Sequence, residues 1–110
     1  MFRDLINQKL EEARAAFKDL QESLEEVQEN SVHASSYDPE DASELSEKEY
    51  LLTMMTRQRR YIENLEAALE RIKNRTYGIC RVTGKLIDKR RLMAVPHATT
   101  SVEGKQQEQR

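Results

Sequence analysis

From Ile6 onward, apolar residues fall alternately four and three positions apart: Ile6, Leu10, Ala13, Phe17, Leu20, Leu24 and Val27. That spacing keeps one stripe on one helix face, the stripe a partner helix covers. Neither Gly nor Pro occurs in residues 2–29. The pattern predicts one unbroken helix, roughly 40 Å long at the usual rise per residue. It stops at NSVHASSYDPEDAS, residues 30–43, which has no period and is rich in Ser, Asp, Asn and Pro. This stretch reads as a loop, and Pro39 disfavours helix at Asp38. A second repeat follows: Leu51, Met55, Gln58, Ile62, Leu65, Leu69 and Ile72. It predicts a helix from about Ser46 to Lys73, capped by Ser43 or Ser46; Ser46 has Glu49 at the spacing of a capping box, and Ser43 has the poorer partner Ser46. Two stripes this narrow do not hold helices alone, so each is expected to cover the other. The predicted architecture is mainly α, a long antiparallel coiled-coil hairpin over residues 1–74 with a tip loop at 30–45. Gln58 is the polar break in the second stripe. It either fixes the register or reaches solvent.

Beyond Thr76 the heptads end. Gly78, Gly84 and Pro96 punctuate short apolar runs. Residues 75–104 read as a small separate lobe. Lys85–Ile87 is long enough only for a strand fragment. Asp88 is placed to cap a short helix in DKRRLMAV. Tyr77, Ile79, Leu86, Ile87, Leu92 and Val95 are the expected apolar core of the lobe. Residues 105–110, KQQEQR, read as a frayed polar tail.

Composition narrows the class. Apolar residues make up 37 % and charged ones 35 %, with no Trp. This is too polar for a thick globular core and suits helices that bury one stripe. No run approaches the ~20 apolar residues of a membrane span. The first residues lack the apolar run of a signal peptide. A single cysteine excludes an internal disulfide framework. The expectation is a soluble cytoplasmic protein. The net charge of −2 conceals an asymmetry. Residues 19–49 hold eleven acids and one base, a net −10. Residues 71–110 hold ten bases and three acids, a net +7. An acidic end and a basic end suit a partner met in a fixed orientation.

Candidate chemistry in the lobe is incomplete. A structural zinc site needs four converging ligands, commonly two Cys pairs at two-residue gaps. Cys80 starts such a pair, but Thr83 stands where its partner would. His97 adds one further soft ligand. A nucleophilic Cys80 needs a base and a group that orients it. His97 and Arg81 are the only local candidates, and no oxyanion element is legible. Lys89, Arg90 and Arg91 form a basic cluster without interleaved aromatics, and the acidic half repels phosphates. No enzymatic role and no sequence-specific DNA contact are expected.

A helical hairpin followed by TYGIC, Gly84, Ile87, Arg91-Leu92, Ala94, Pro96 and Ala98 resembles the DksA/TraR family of bacterial transcription regulators. The resemblance covers nearly the whole chain and is most specific over Thr76–Val102. It places the four zinc-ligand positions of the C4-type finger at Cys80, Thr83, Ser101 and Gly104, three of which lack a thiol. It implies a degenerate, metal-free finger of the cysteine-poor branch, with hydrogen bonds from Thr83 and Ser101 replacing part of the metal anchoring. It also implies that the chain binds RNA polymerase by protein contacts and inserts its acidic tip into the secondary channel, near the catalytic magnesium. The tip residues it assigns are Asp38, Asp41, Ala42 and Ser43. Asp38, Pro39 and Asp41 match the family pattern, and Ser43 stands in place of its Ala. Arg90 and Arg91 are assigned to polymerase contact at the hairpin base. Two positions that are basic in members binding guanosine tetraphosphate are Asn64 and Val95 here, while Lys105 keeps its charge. Binding of that effector by the same route is not expected.

Two other readings belong to different classes. One is a structural coiled-coil adaptor with no polymerase role. The other is a thiol or metal sensor centred on Cys80. A monomer is expected, because the two stripes can cover each other within one chain.

Overall fold

The heptad stripes become two long helices in the computed structural model, α1 (Phe2–Val32) and α2 (Glu40–Lys73). Two short helices follow, α3 (Lys89–Ala94) and α4 (Val102–Glu108). The structure describes residues 1–32 and 40–109, with the side chains of all but 30–32 and 40–44. The architecture is a mainly α antiparallel coiled-coil hairpin with a small C-terminal zinc-finger-like lobe. Residues 1–10 and 63–110 form one unit, and residues 11–62 form another. The first therefore joins the start of α1, the end of α2 and the lobe. The second joins the rest of α1 to the first part of α2.

The α1 stripe lies on the covered face as its spacing predicts. Ile6, Leu10 and Ala13 are buried, and Phe17, Leu20, Leu24 and Val27 are half-buried. In α2, Leu51 and Leu65 are buried. The repeat assigned Leu69 to the seam, but the fully buried residue is Ala68, and Leu69 is half-covered. Both lie one turn beyond Leu65, so spacing alone does not choose between them. Gln58 does not reach solvent through its amide oxygen, which is buried without a hydrogen-bond partner among the described residues.

The helices reach into the stretch 30–45 from both sides. α1 continues to Val32, and α2 starts at Glu40, six residues before the Ser46 start that the capping box predicts. Acids in a first helical turn face the positive end of the helix dipole, which favours helix over EDASEL. α2 ends at a positive-φ residue, Arg75 (φ 62°). There the Thr76 N–H donates to the Arg71 carbonyl (2.8 Å) and the Arg75 N–H to the Ile72 carbonyl (3.2 Å). These paired bonds are the usual closure of a helix through a left-handed residue.

In the lobe, one antiparallel bridge joins Ile79 and Leu86. Gly78 (φ 83°) and Gly84 (φ 72°) take the left-handed backbone that its turns require. Asp88 caps α3 as predicted, accepting from the Arg90 N–H at 2.8 Å. The core of the lobe differs from the expected list. It comprises Cys80, Ile87, Leu92 and Ala98, with Phe2, Tyr77 and Val95 packed against it. Ile79 and Leu86 are exposed, 44 % and 81 %. The two bridged residues share a side of the ribbon, and that side faces outward. The polar tail expected at 105–110 is helical through Glu108. Its helix is tied back by an ion pair between Arg81 and Glu108.

Candidate functional site

The four finger positions come together. The Cys80 side chain is 1 % exposed and sits at the centre. Its Sγ accepts from the Thr83 N–H at 3.4 Å and from the Ser101 hydroxyl at 3.5 Å. Ser101 also caps α4, accepting from the Gly104 N–H at 3.0 Å. The Lys85 N–H donates to the Thr83 hydroxyl at 3.3 Å. The loop is closed by backbone bonds from Cys80 N–H to the Lys85 carbonyl and from Gly84 N–H to the Cys80 carbonyl, both 2.8 Å. These contacts hold together what four metal–thiolate bonds hold in a C4 finger.

The residues present do not fit zinc. Cys80 is the one thiol, and the hydroxyls of Thr83 and Ser101 are poor zinc ligands. Gly104 offers no side chain and no room for one. A Cβ built there would lie 2.5 Å from Cys80 Sγ and 3.3 Å from both Ser101 Oγ and Val82 Cβ. Among the described residues, no group of three or more His, Cys, Asp or Glu side chains could hold a metal ion. The sulfur occupies the space that a side chain at position 104 would need. Gly104→Ala is therefore expected to destabilise the chain by about 1–3 kcal/mol, the usual cost of overpacking. A denaturant midpoint unchanged from the parent would refute that packing.

The electrostatics of the thiol follow from the same contacts. The Thr83 hydroxyl lowers its pKa, burial opposes it, and Ser101 and two backbone groups lower it further, to about 6. The thiolate is favoured but sealed from solvent. That arrangement supports a structural acceptor more readily than a reactive nucleophile.

His97 sits where the lobe meets the end of α2. Its carbonyl accepts from Arg71 at 3.3 Å, and the Tyr77 hydroxyl donates to the neighbouring Pro96 carbonyl at 2.8 Å. The Tyr77 ring meets Phe2 with centroids 5.6 Å apart. These bonds join the end of α2 and the start of α1 to the lobe. Burial and the Arg71 charge lower the His97 pKa below its ordinary value. A base with a depressed folded pKa takes up its proton more readily when unfolded. Its contribution is thus complete above about pH 6.5 and is lost as the pH falls below that. The melting temperature should fall from pH 7 to pH 5, and His97→Asn should flatten that slope. An equal slope in the variant would show that His97 is not responsible.

The assigned basic pair splits. Arg90 is exposed, whereas the Arg91 Nε donates to the Thr100 carbonyl at 2.8 Å and holds the loop before α4. A cavity of about 270 Å³ beside it is lined by Lys85 and Arg91, but also by Asp88 and Glu103. Its charges offset one another, so it does not select anions. Of the tip residues, Asp38 lies outside the described residues. Asp41, Ala42 and Ser43 fall at the start of α2, with side chains outside the description. The sequence reading missed Gly104 as a close-packing position and Ser101 as a helix cap. The SVEG run carried the cap signal.

Comparison with known proteins adds four likenesses. Residues 75–109 match the prokaryotic dksA/traR C4-type zinc finger. The uncharacterised Bacillus subtilis protein YteA is 44 % identical over 72 residues, 63 % of this chain and 30 % of that protein. The RNA polymerase-binding transcription factor DksA of Caulobacter vibrioides is 35 % identical over 101 residues, 92 % of this chain and 66 % of that protein. The chain thus spans 30 % and 66 % of the length of these two relatives. The solved structure of transcription factor DksA2 from Pseudomonas aeruginosa superposes with a TM-score of 0.86 at 28 % identity. That match covers 98 % of this chain and 80 % of the other.

Proposed function

This chain belongs to the DksA/TraR family, and we propose that it is an RNA polymerase-binding regulator of transcription initiation. The observation that carries the reading is the likeness to the Caulobacter transcription factor, which runs through both hairpin helices and the lobe rather than the finger alone. The relative is a transcription factor, and this chain is likewise a regulator, not an enzyme. Its acidic stretch, net −10 over residues 19–49, enters the secondary channel of the polymerase, and its basic end stays outside. Asp38, Asp41, Ala42 and Ser43 act at the tip. Arg90, exposed on α3, contacts the polymerase at the base, while Arg91 positions the loop that carries Thr100. The lobe works without zinc, its core and the Cys80 hydrogen bonds replacing the metal. The setting is the bacterial cytoplasm. No helix among the described residues is long and apolar enough to cross a membrane.

The test is co-purification of the full chain with core RNA polymerase, with light scattering on the free chain. A monomer that binds the polymerase and contains no stoichiometric zinc is expected. A tight dimer with no affinity for the polymerase would favour an adaptor.

A further inference from the structure

The unit formed by residues 11–62 carries a groove that the polymerase reading does not use. It has a volume of about 330 Å³ and is lined from α1 by Ala16, Asp19, Leu20 and Ser23, and from α2 by Tyr50, Met54 and Gln58. Three of these side chains are apolar and four are polar. None of the four polar side chains makes a hydrogen bond or ion pair with a described residue. The Gln58 amide oxygen is both buried and without a partner. Such an oxygen is costly inside a seam unless something donates to it.

The chemistry of the lining selects the occupant. Asp19 can only accept hydrogen bonds, and the Gln58 oxygen, the Ser23 hydroxyl and the Tyr50 hydroxyl can all accept. Leu20 and Met54 offer apolar surface of the kind that covers an alkyl stem. Tyr50 is an exposed aromatic ring, 63 % accessible, on which a flat cation can stack. A guanidinium has five donors in a plane and a weakly hydrated face, whereas an ammonium is compact and strongly hydrated. Asp19 is the one charged residue of the lining, so the groove itself carries a single negative charge and no cation. The same unit shows a guanidinium bound on an aromatic face: Arg59 lies over the Phe17 ring at 5.6 Å.

We infer that this groove receives an arginine side chain presented by a protein partner. That the partner is RNA polymerase rests on the function proposed above. The stem lies along Leu20 and Met54. The guanidinium meets the Asp19 carboxylate and, after rotation of the Gln58 amide, its oxygen.

Two measurements test this separately. In the first, the full chain is titrated with Nα-acetyl-argininamide and, in parallel, Nα-acetyl-lysinamide, and amide shifts are followed. Saturable shifts at Tyr50, Met54 and the Gln58 side chain are expected, with the lysine probe about threefold weaker or more. Asp19→Asn should weaken uptake about tenfold, since it removes the charge that assists the hydrogen bond. Gln58→Leu should also weaken it while keeping or raising the melting temperature, which separates lost binding from lost folding. Non-saturating shifts, or equal uptake by Asp19→Asn, would overturn the groove. In the second, Asp19→Arg should bind core polymerase about tenfold more weakly than the parent. If the parent binds and Asp19→Arg binds equally well, the polymerase is not the source of the arginine. If the parent fails to bind at all, the proposed function falls, and the probe titration alone decides the groove. A parent dimer dissociated by Asp19→Arg would assign the groove to a second copy and overturn the inference.

Discussion

Leu65→Ala is expected to cost about 3 kcal/mol of stability, within the range for deleting a buried leucine side chain. Leu65 is 0 % exposed, near the end of α2 that shares a unit with the start of α1 and the lobe. The loss has two sources. One is the transfer energy of the missing methyl and methylene groups. The other is the cavity left where neighbours cannot close in. The control lies in the same helix. Leu52 is 44 % exposed, and Leu52→Ala should change stability by no more than about 0.5 kcal/mol. Urea unfolding followed by circular dichroism measures both. If Leu65→Ala costs less than about 1 kcal/mol, the seam is not the source of stability, and the packing of this unit has been misjudged.

Asp41→Asn is expected to abolish the effect on transcription and leave polymerase affinity within about twofold. The substitution keeps shape and volume and removes one charge. It lies at the start of α2, where an acid gains up to about 1 kcal/mol from the helix dipole. That loss is too small to unfold a hairpin of this length, so folding and binding should survive. The carboxylate itself is what would meet the basic or metal-bearing end of the channel. Filter binding to core polymerase and run-off transcription at responsive promoters separate the two effects. A variant that regulates promoters as the parent does would show that the tip works by another means, whatever the affinity.

Spacing along the chain made some features legible and left others open. Heptads gave both long helices, because a repeat of alternating four and three residues has one helical solution. The Asp88 cap was legible because a cap needs only a side-chain oxygen and an N–H two residues on. The finger scaffold was legible from its glycines, Pro96 and the run around Cys80. The start of α2 was misjudged by six residues, because a capping box at Ser46 competed with an acidic turn that also favours helix. Arg91 read as a surface contact. Nothing local announces that its Nε reaches the Thr100 carbonyl, nine residues on.

The sequence by itself determined what repeats or is closed locally: two long helices, the stripe each one covers, the capped α3, and a lobe with one thiol among four ligand positions. Tertiary structure decided what depends on residues far apart in the chain. It turned Ile79 and Leu86 outward and buried Ala98 and Thr100, because burial in a small lobe is set by which elements arrive against it. Phe2 comes from the opposite end of the chain to pack on that core. It chose Ala68 over Leu69 at a position that helical spacing leaves degenerate. It also left Asp19, Tyr50 and Gln58 around one groove, although they are 31 and 39 residues from the first to the others. Period is a property of one segment, whereas partnership is a property of two.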